Sequence, residues 1–208
     1  MPRNFLECVY YDSESGYKIG QEPTIPELLF KHGLGKENLV RAPMGGDLLD
    51  DDKYGGGALL PADGPGSPER PTIKTLQSLL GSLLWIARCM RPYIAFAVHH
   101  AYRRAHAPTI GDLKLAICIL RYLAGSADLK LAMNCDGGPN IPLRIEIFTD
   151  ADFAGDKKDR KSVSGGIVRI SGTIVGWHCK KQTAVALSTA ESEYVAASIG
   201  AKEILVLK

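Results

Sequence analysis

Apolar and polar residues alternate over 5–11 and again over 17–20, on either side of Asp12-Ser13-Glu14-Ser15-Gly16. This pattern predicts a β-hairpin with a glycine-containing loop. Residues 23–33 predict a short helix, with Thr24 as its cap, Pro26 early, Glu27 at capping-box spacing and Gly33 as its stop. Leu76, Leu79, Leu80, Leu83 and Leu84 recur at i, i+3, i+4, i+7 and i+8, one apolar stripe of a longer helix. Arg91-Pro92 restarts the chain, and Ile94, Ala97, Val98 and Ala101 form the next apolar face. A third helix opens at Thr109 with Asp112 in capping-box position. Its stripe is Leu113, Ala116, Ile117 and Leu120, and Gly125 ends it.

Beyond Cys135-Asp136-Gly137-Gly138-Pro139-Asn140 the period falls to two. Leu143–Asp150 alternates, with Ile145, Ile147 and Thr149 on one face. Gly166–Ile170 and Thr173–His178 flank Ser171-Gly172, a pair suited to a tight hairpin turn. A last helix begins near Ser188, with Glu191 at the reciprocal capping distance. Between the first helix and the leucine stripe, the chain turns to Gly, Pro and Asp and reads as a flexible linker. Four segments follow: a hairpin and helix over 1–40, a linker over 41–72, a helical region over 73–134, and strands with a helix over 143–208. The class is α+β.

Composition narrows the function classes. The chain has 208 residues, 45% hydrophobic and 23% charged, with a net charge of +2. That balance fits an ordinary globular protein, and any affinity for nucleic acid must come from local clusters. Five cysteines, Cys8, Cys89, Cys118, Cys135 and Cys179, lack Cys-x-x-Cys spacing and read as reduced thiols of an intracellular protein, cytoplasmic or nuclear. No signal peptide is read at the N-terminus, and the apolar runs are too short to span a membrane, so no membrane partner is expected. Gly55-Gly56-Gly57 is not followed by Gly-Lys-Ser/Thr, which excludes a phosphate-binding loop.

Acidic and basic residues then become candidates. Asp150 ends a strand, where a carboxylate can stand beside the sheet as a metal ligand or merely start a turn. On the last helix, Ala190, Glu193, Ala197, Ala201 and Ile204 share one face, expected to be the inward one. A carboxylate there needs a metal or a partner, which favours Glu193 as a ligand and leaves Glu191 as the cap. Lys157, Lys158, Arg160 and Lys161, with Lys180 and Lys181 in the later turn, either track a phosphate backbone or form a solvated loop. Asp152, Gly155 and Asp156 do not make a calcium loop, because Lys161 stands where a glutamate is needed. His99, His100 and His106 lack partners at metal-binding spacing.

Several segments in one order resemble copia-type retrotransposon polyproteins. Leu79-Leu80-Gly81-Ser82-Leu83-Leu84-Trp85 with Arg91-Pro92-Tyr93-Ile94-Ala95-Phe96-Ala97-Val98 resembles the stretch just past the polymerase palm. Ile119-Leu120-Arg121-Tyr122-Leu123-Ala124-Gly125 is similar to the connecting helix. Phe148-Thr149-Asp150-Ala151-Asp152, Arg160-Lys161-Ser162, Trp177-His178-Cys179-Lys180-Lys181-Gln182 and Leu187-Ser188-Thr189-Ala190-Glu191-Ser192-Glu193-Tyr194 resemble the opening of a ribonuclease H domain.

The resemblance implies a reverse transcriptase tail, a helical connection region, and an incomplete ribonuclease H-like mixed sheet with a helix. It also implies Asp150 and Glu193 as ligands of catalytic Mg2+ acting on an RNA–DNA hybrid. Tyr93 stands where the family usually has Asp, and Phe153 where it has Trp. The paired polymerase aspartates would lie upstream, and the third metal-binding aspartate beyond Lys208. The expectation is therefore a chain inactive alone, with an open edge on Leu143–Asp150 through which it self-associates. The alternatives are a non-catalytic nucleic-acid-binding module or a decayed element without selected activity.

Overall fold

A computed structural model of the chain describes residues 3–5, 8–13, 16–35, 39–45, 57–134 and 141–206. Two compact units emerge, one of Pro2–Tyr10 with Gly20–Lys130 and one of Tyr11–Ile19 with Leu131–Lys208. The four segments expected from composition do not coincide with them.

The first unit is mostly helical. A short strand β1 (Arg3–Phe5) pairs antiparallel with β2 (Cys8–Ser13). Helix α1 (Thr24–Lys31) follows, with Pro23 at its N-cap and no side-chain capping bond, so Thr24 is the first helical residue and not the cap. Ile25, Leu28 and Leu29 of α1 join the core of the longer helices. This is why 1–40 is not separate from 73–134: three large apolar side chains on one short helix need a common core to be buried.

The longer helices are α2 (Ile73–Cys89), α3 (Ala95–Tyr102) and α4 (Ile110–Gly125), with a 3-10 turn at Pro92–Ile94. Thr72 and Thr75 close a capping box on α2, and Thr109 and Asp112 close one on α4, as the sequence led one to expect for α4. Leu76, Leu79, Leu80 and Leu83 are buried, as are Ile94, Ala97, Val98 and Ala101. On α4 the buried stripe is Leu115, Ala116, Ile119, Leu120 and Leu123, rotated from the expected Leu113 and Ile117. Arg91 is 1% exposed and ties the turn before α3 to the end of α4.

Residues 57–72 are not a free linker. Leu60 is buried, Leu59 bridges to Thr109, the Leu60 N–H donates to the Pro108 carbonyl at 2.9 Å, and Thr72 caps α2. One buried leucine and a few backbone bonds within a Gly/Pro-rich stretch are enough to fasten it. Positions 46–56 and the boundary at 135–140 lie outside the described residues.

In the second unit β3 (Gly16–Gly20) pairs antiparallel with β4 (Leu131–Met133), as Tyr17↔Met133 to Ile19↔Leu131. The strands of the expected N-terminal hairpin are thus β2 and β3. The main sheet has the order β5 (Ile145–Asp152), β6 (Val163–Ile170), β7 (Thr173–Lys181). Ser171 (φ 42°) and Gly172 (φ 86°) make the tight β6–β7 turn, both left-handed as a two-residue hairpin loop requires. Both ladders are antiparallel, so the mixed sheet expected above is not seen among the described residues. The short β5–β6 and β6–β7 connections allow only antiparallel neighbours.

Helix α5 (Thr189–Val206) covers one face of this sheet. Its inward face is Ser192, Ala196 and Gly200, flanked by half-buried Val195 and Ile199. The expected face fails: Ala190, Glu193, Ala197 and Ala201 are exposed. The helix lies close to the strand through its smallest residues. A Cβ at Gly200 would stand 2.6 Å from Thr149 Cγ2 and 2.8 Å from Ile147 Cδ1.

Candidate metal and nucleic-acid site

Strand β5 supplies the first carboxylate. Ile147, Thr149 and Ala151 alternate toward α5, so Phe148, Asp150 and Asp152 leave the strand on the opposite, exposed face. Because β6 pairs with only one side of β5, the other side is a sheet edge. At its C-terminal end that edge meets α5: the Ala151 N–H donates to Glu193 Oε1 at 3.3 Å. Glu193 therefore reaches the strand at the residue directly after Asp150, although it is not on the buried face of its helix.

Glu191 has a different task. Its carboxylate accepts the Leu187 N–H at 2.7 Å, while its own N–H donates to Ser188 Oγ at 3.1 Å, which fastens the start of α5. Gln182, which the sequence pattern does not single out, is buried and donates to Ser164 Oγ and to the Ser192 carbonyl, each at 2.9 Å. It links the end of β7 to β6 and α5, and so sets the height of Glu193 along β5. A glutamine ending an otherwise charged Lys-Lys-Gln run is the available signal.

The basic residues divide. Lys157, Lys158, Arg160 and Lys180 are exposed and Lys161 is half-buried. Lys181 is committed elsewhere: its ammonium binds the buried Asp156 carboxylate and, at 2.8 Å, Asp159. Burial opposes its charge, but the hydrogen bonds to Asp156 and Asp159 outweigh it and raise its pKa. The hydrogen bond from Lys181 in turn lowers that of Asp159. Two carboxylates neutralise this lysine, so Lys181 is not a phosphate contact but the post of the β5–β6 loop. The same loop closes through Lys158 N–H to Asp156 Oδ1 at 3.0 Å and Ala154 N–H to Ser162 Oγ at 3.1 Å.

His178 lies on the helix-facing side of β7 with its ring over Gly166, where a Cβ would come within 2.2 Å of it. Burial lowers the pKa of this imidazole, against a smaller opposite pull from Glu203. Among the described residues no group of three or more His, Cys, Asp or Glu side chains converges as a metal cage. Cys8, Cys89, Cys118 and Cys179 form no disulfide among the described residues, and no helix there is long and apolar enough to cross a membrane.

The chain is 41% identical over 131 residues to the retrovirus-related Pol polyprotein from transposon TNT 1-94 of Nicotiana tabacum, covering 63% of this chain and 10% of that one. It is 36% identical over 118 residues to the Pol polyprotein from transposon RE1 of Arabidopsis thaliana, covering 57% and 8%. Over about 60% of its length the chain is thus similar to copia-type retrotransposon Pol polyproteins. It spans a tenth or less of the length of these two relatives. The secreted RxLR effector protein 161 of Plasmopara viticola is also similar, 32% identical over 130 residues, covering 62% of this chain and 89% of the effector. No family model matches, and no solved structure does.

Proposed function

We propose that the β5–α5 unit is a ribonuclease H-like part of a copia-type polyprotein, built to hold Mg2+ against an RNA–DNA hybrid. What supports this reading is the approach of Glu193 to the end of β5, where Oε1 accepts the N–H of Ala151, the residue after Asp150. Both side chains are exposed and offer oxygen donors, which suits a hard divalent cation that keeps most of its waters. Asp150 and Glu193 would hold the ion. When bound, it would polarise a phosphodiester and lower the pKa of a water. Gln182 and Ser192 position the helix that carries Glu193, and Glu191 anchors its start.

Two carboxylates leave a metal pair under-neutralised, so the chain alone is expected to bind a divalent ion weakly and not to cut. Mn2+ should broaden the backbone NMR signals of Asp150, Ala151 and Glu193 selectively, and Asp150→Asn should remove the effect. Hybrid cleavage should stay at background with Mg2+ or Mn2+. Cleavage by this chain that is lost in Asp150→Asn or Glu193→Gln would refute the claim that two carboxylates are too few.

The basic turns favour a second role, holding nucleic acid without cutting it. Replacing Lys157, Lys158 and Lys180 by alanine should weaken hybrid binding for every sequence tested. The salt dependence should flatten by about one unit of log–log slope for each phosphate that is no longer neutralised. Lys181→Ala should act instead by loosening the loop. An unchanged affinity in the triple variant would reduce the cluster to a solvated surface. The edge of β5 is proposed as a route of self-association, held in check where Glu193 occupies the Ala151 N–H.

A further inference from the structure

Gly81 stands inside α2, where glycine weakens a helix relative to alanine. Packing does not require it: a Cβ added at Gly81 meets nothing within 4 Å, whereas one at Gly200 collides with Thr149 and Ile147. What the missing side chain does leave open is the flank of Trp85. Helical side chains lean back toward the turn that precedes them, and Gly81 and Trp85, one turn apart, line the same opening. Trp85 is 41% exposed.

That opening belongs to a cavity of about 610 Å³ within the helical unit, between α1 and α2. One wall carries Glu27 and Lys31, and the other Ser78, Gly81 and Trp85. Lys31 Nζ donates to Ser78 Oγ at 3.3 Å, and neither Lys31 nor Glu27 takes part in an ion pair among the described residues. The groove therefore presents a partly exposed indole, a lysine outside any ion pair, and a carboxylate one helical turn away from that lysine.

These three features specify a ligand: a flat ring, one anionic group, and hydrogen-bond donors between them. We propose that the groove binds a nucleoside monophosphate. The base stacks on Trp85 above Gly81, an interaction that tolerates any base. The phosphate meets Lys31 in a charge-assisted hydrogen bond, and Glu27 accepts from the sugar hydroxyls. Glu27 also repels further negative charge, so extra phosphates add nothing. The volume lies within the usual range for small-ligand sites, roughly 300–1,000 Å³. This site is independent of Asp150 and Glu193.

The test uses the full chain carrying Trp177→Phe, which leaves Trp85 as the single indole of the two in the sequence. Titration with the four ribonucleoside monophosphates should quench Trp85 fluorescence saturably, and the matching nucleosides should bind about tenfold more weakly. Lys31→Gln should lower monophosphate affinity about tenfold and leave nucleoside affinity unchanged. Gly81→Leu should fill the groove and abolish quenching while the helical circular dichroism is retained, since its Cβ has nothing within 4 Å and the groove lies beyond it. Absence of saturable quenching by all four monophosphates would overturn the proposal. So would quenching undiminished in Gly81→Leu, or equal affinities for nucleoside and monophosphate.

Discussion

Replacing Arg91 by methionine will destabilise the helical unit by about 3–5 kcal/mol, although the two side chains are close in volume. Arg91 is 1% exposed, and its guanidinium donates to the Ser126 carbonyl at 2.9 Å and to the Ala127 carbonyl at 3.0 Å. A further N–H reaches the Tyr93 hydroxyl, and the guanidinium lies 5.8 Å from the centre of the Tyr93 ring. Tyr93 in turn packs edge-on against Tyr122 of α4. The arrangement works because the last carbonyls of a helix have no partner within it and carry its negative end. A fixed fork of donors meets the carbonyl of the C-cap Ser126 and that of Ala127, the next residue, together. Methionine fills the space but leaves the Ala127 carbonyl unpaired and the Ser126 carbonyl with only the Leu129 N–H, besides losing two charge-assisted bonds, and each unmade bond costs about 1–3 kcal/mol. Lysine will not rescue, because a single ammonium cannot copy the fork. The measurement is urea unfolding of the full chain, with hydrogen exchange at 123–127 to locate the loss. Undiminished protection of that segment in Arg91→Met would refute the role.

Such a clamp is out of reach of the sequence, since its partners lie 35 and 36 residues away. What can be read in advance is local. Thr109 and Asp112 are three residues apart and make the box their spacing promises. Ser171-Gly172 adopts the left-handed turn that a two-residue hairpin loop demands. Leu76 to Leu83 form a buried stripe because leucine repeats at helical spacing with polar residues between. The linker reading fails at Leu59-Leu60, where bulk composition hides one buried side chain, Leu60, and a backbone bridge from Leu59 to Thr109. Charge alone groups six lysines and arginines, but only the fold shows that Asp156 and Asp159 take one of them. Glu193 reaches β5 at Ala151, from outside the buried face of its helix, while the side chain of Asp150 leaves the strand on the face away from that helix. Alanine recurs on both faces of α5 and carries little directional information. The run Ser192, Ala196, Gly200, at steps of four, marks the close-packed face instead.

That run makes Gly200 a sensitive point of the second unit. Gly200→Ala will destabilise it even though alanine favours a helix by about 1 kcal/mol. The new methyl would lie 2.6 Å from Thr149 Cγ2 and 2.8 Å from Ile147 Cδ1, both on the strand that α5 covers. Neither neighbour is the free end of a long side chain, so helix and strand must separate. Overpacking of this kind costs about 1–3 kcal/mol, and more as the side chain grows. Gly200→Leu should therefore lift α5 from β5, break the bond from the Ala151 N–H to Glu193 Oε1, and end the selective Mn2+ broadening expected at Asp150 and Glu193. The control is Gly81→Ala, the same substitution inside another helix with nothing within 4 Å, which should instead stabilise the helical unit by about 1 kcal/mol. Hydrogen exchange on the full chain reads both units at once, with α5 and β5 losing protection in one variant and α2 gaining it in the other. If Gly200→Ala raises protection in α5 as Gly81→Ala does in α2, the helix does not rest on the strand at this distance, and Glu193 is not held beside Asp150 by the packing described.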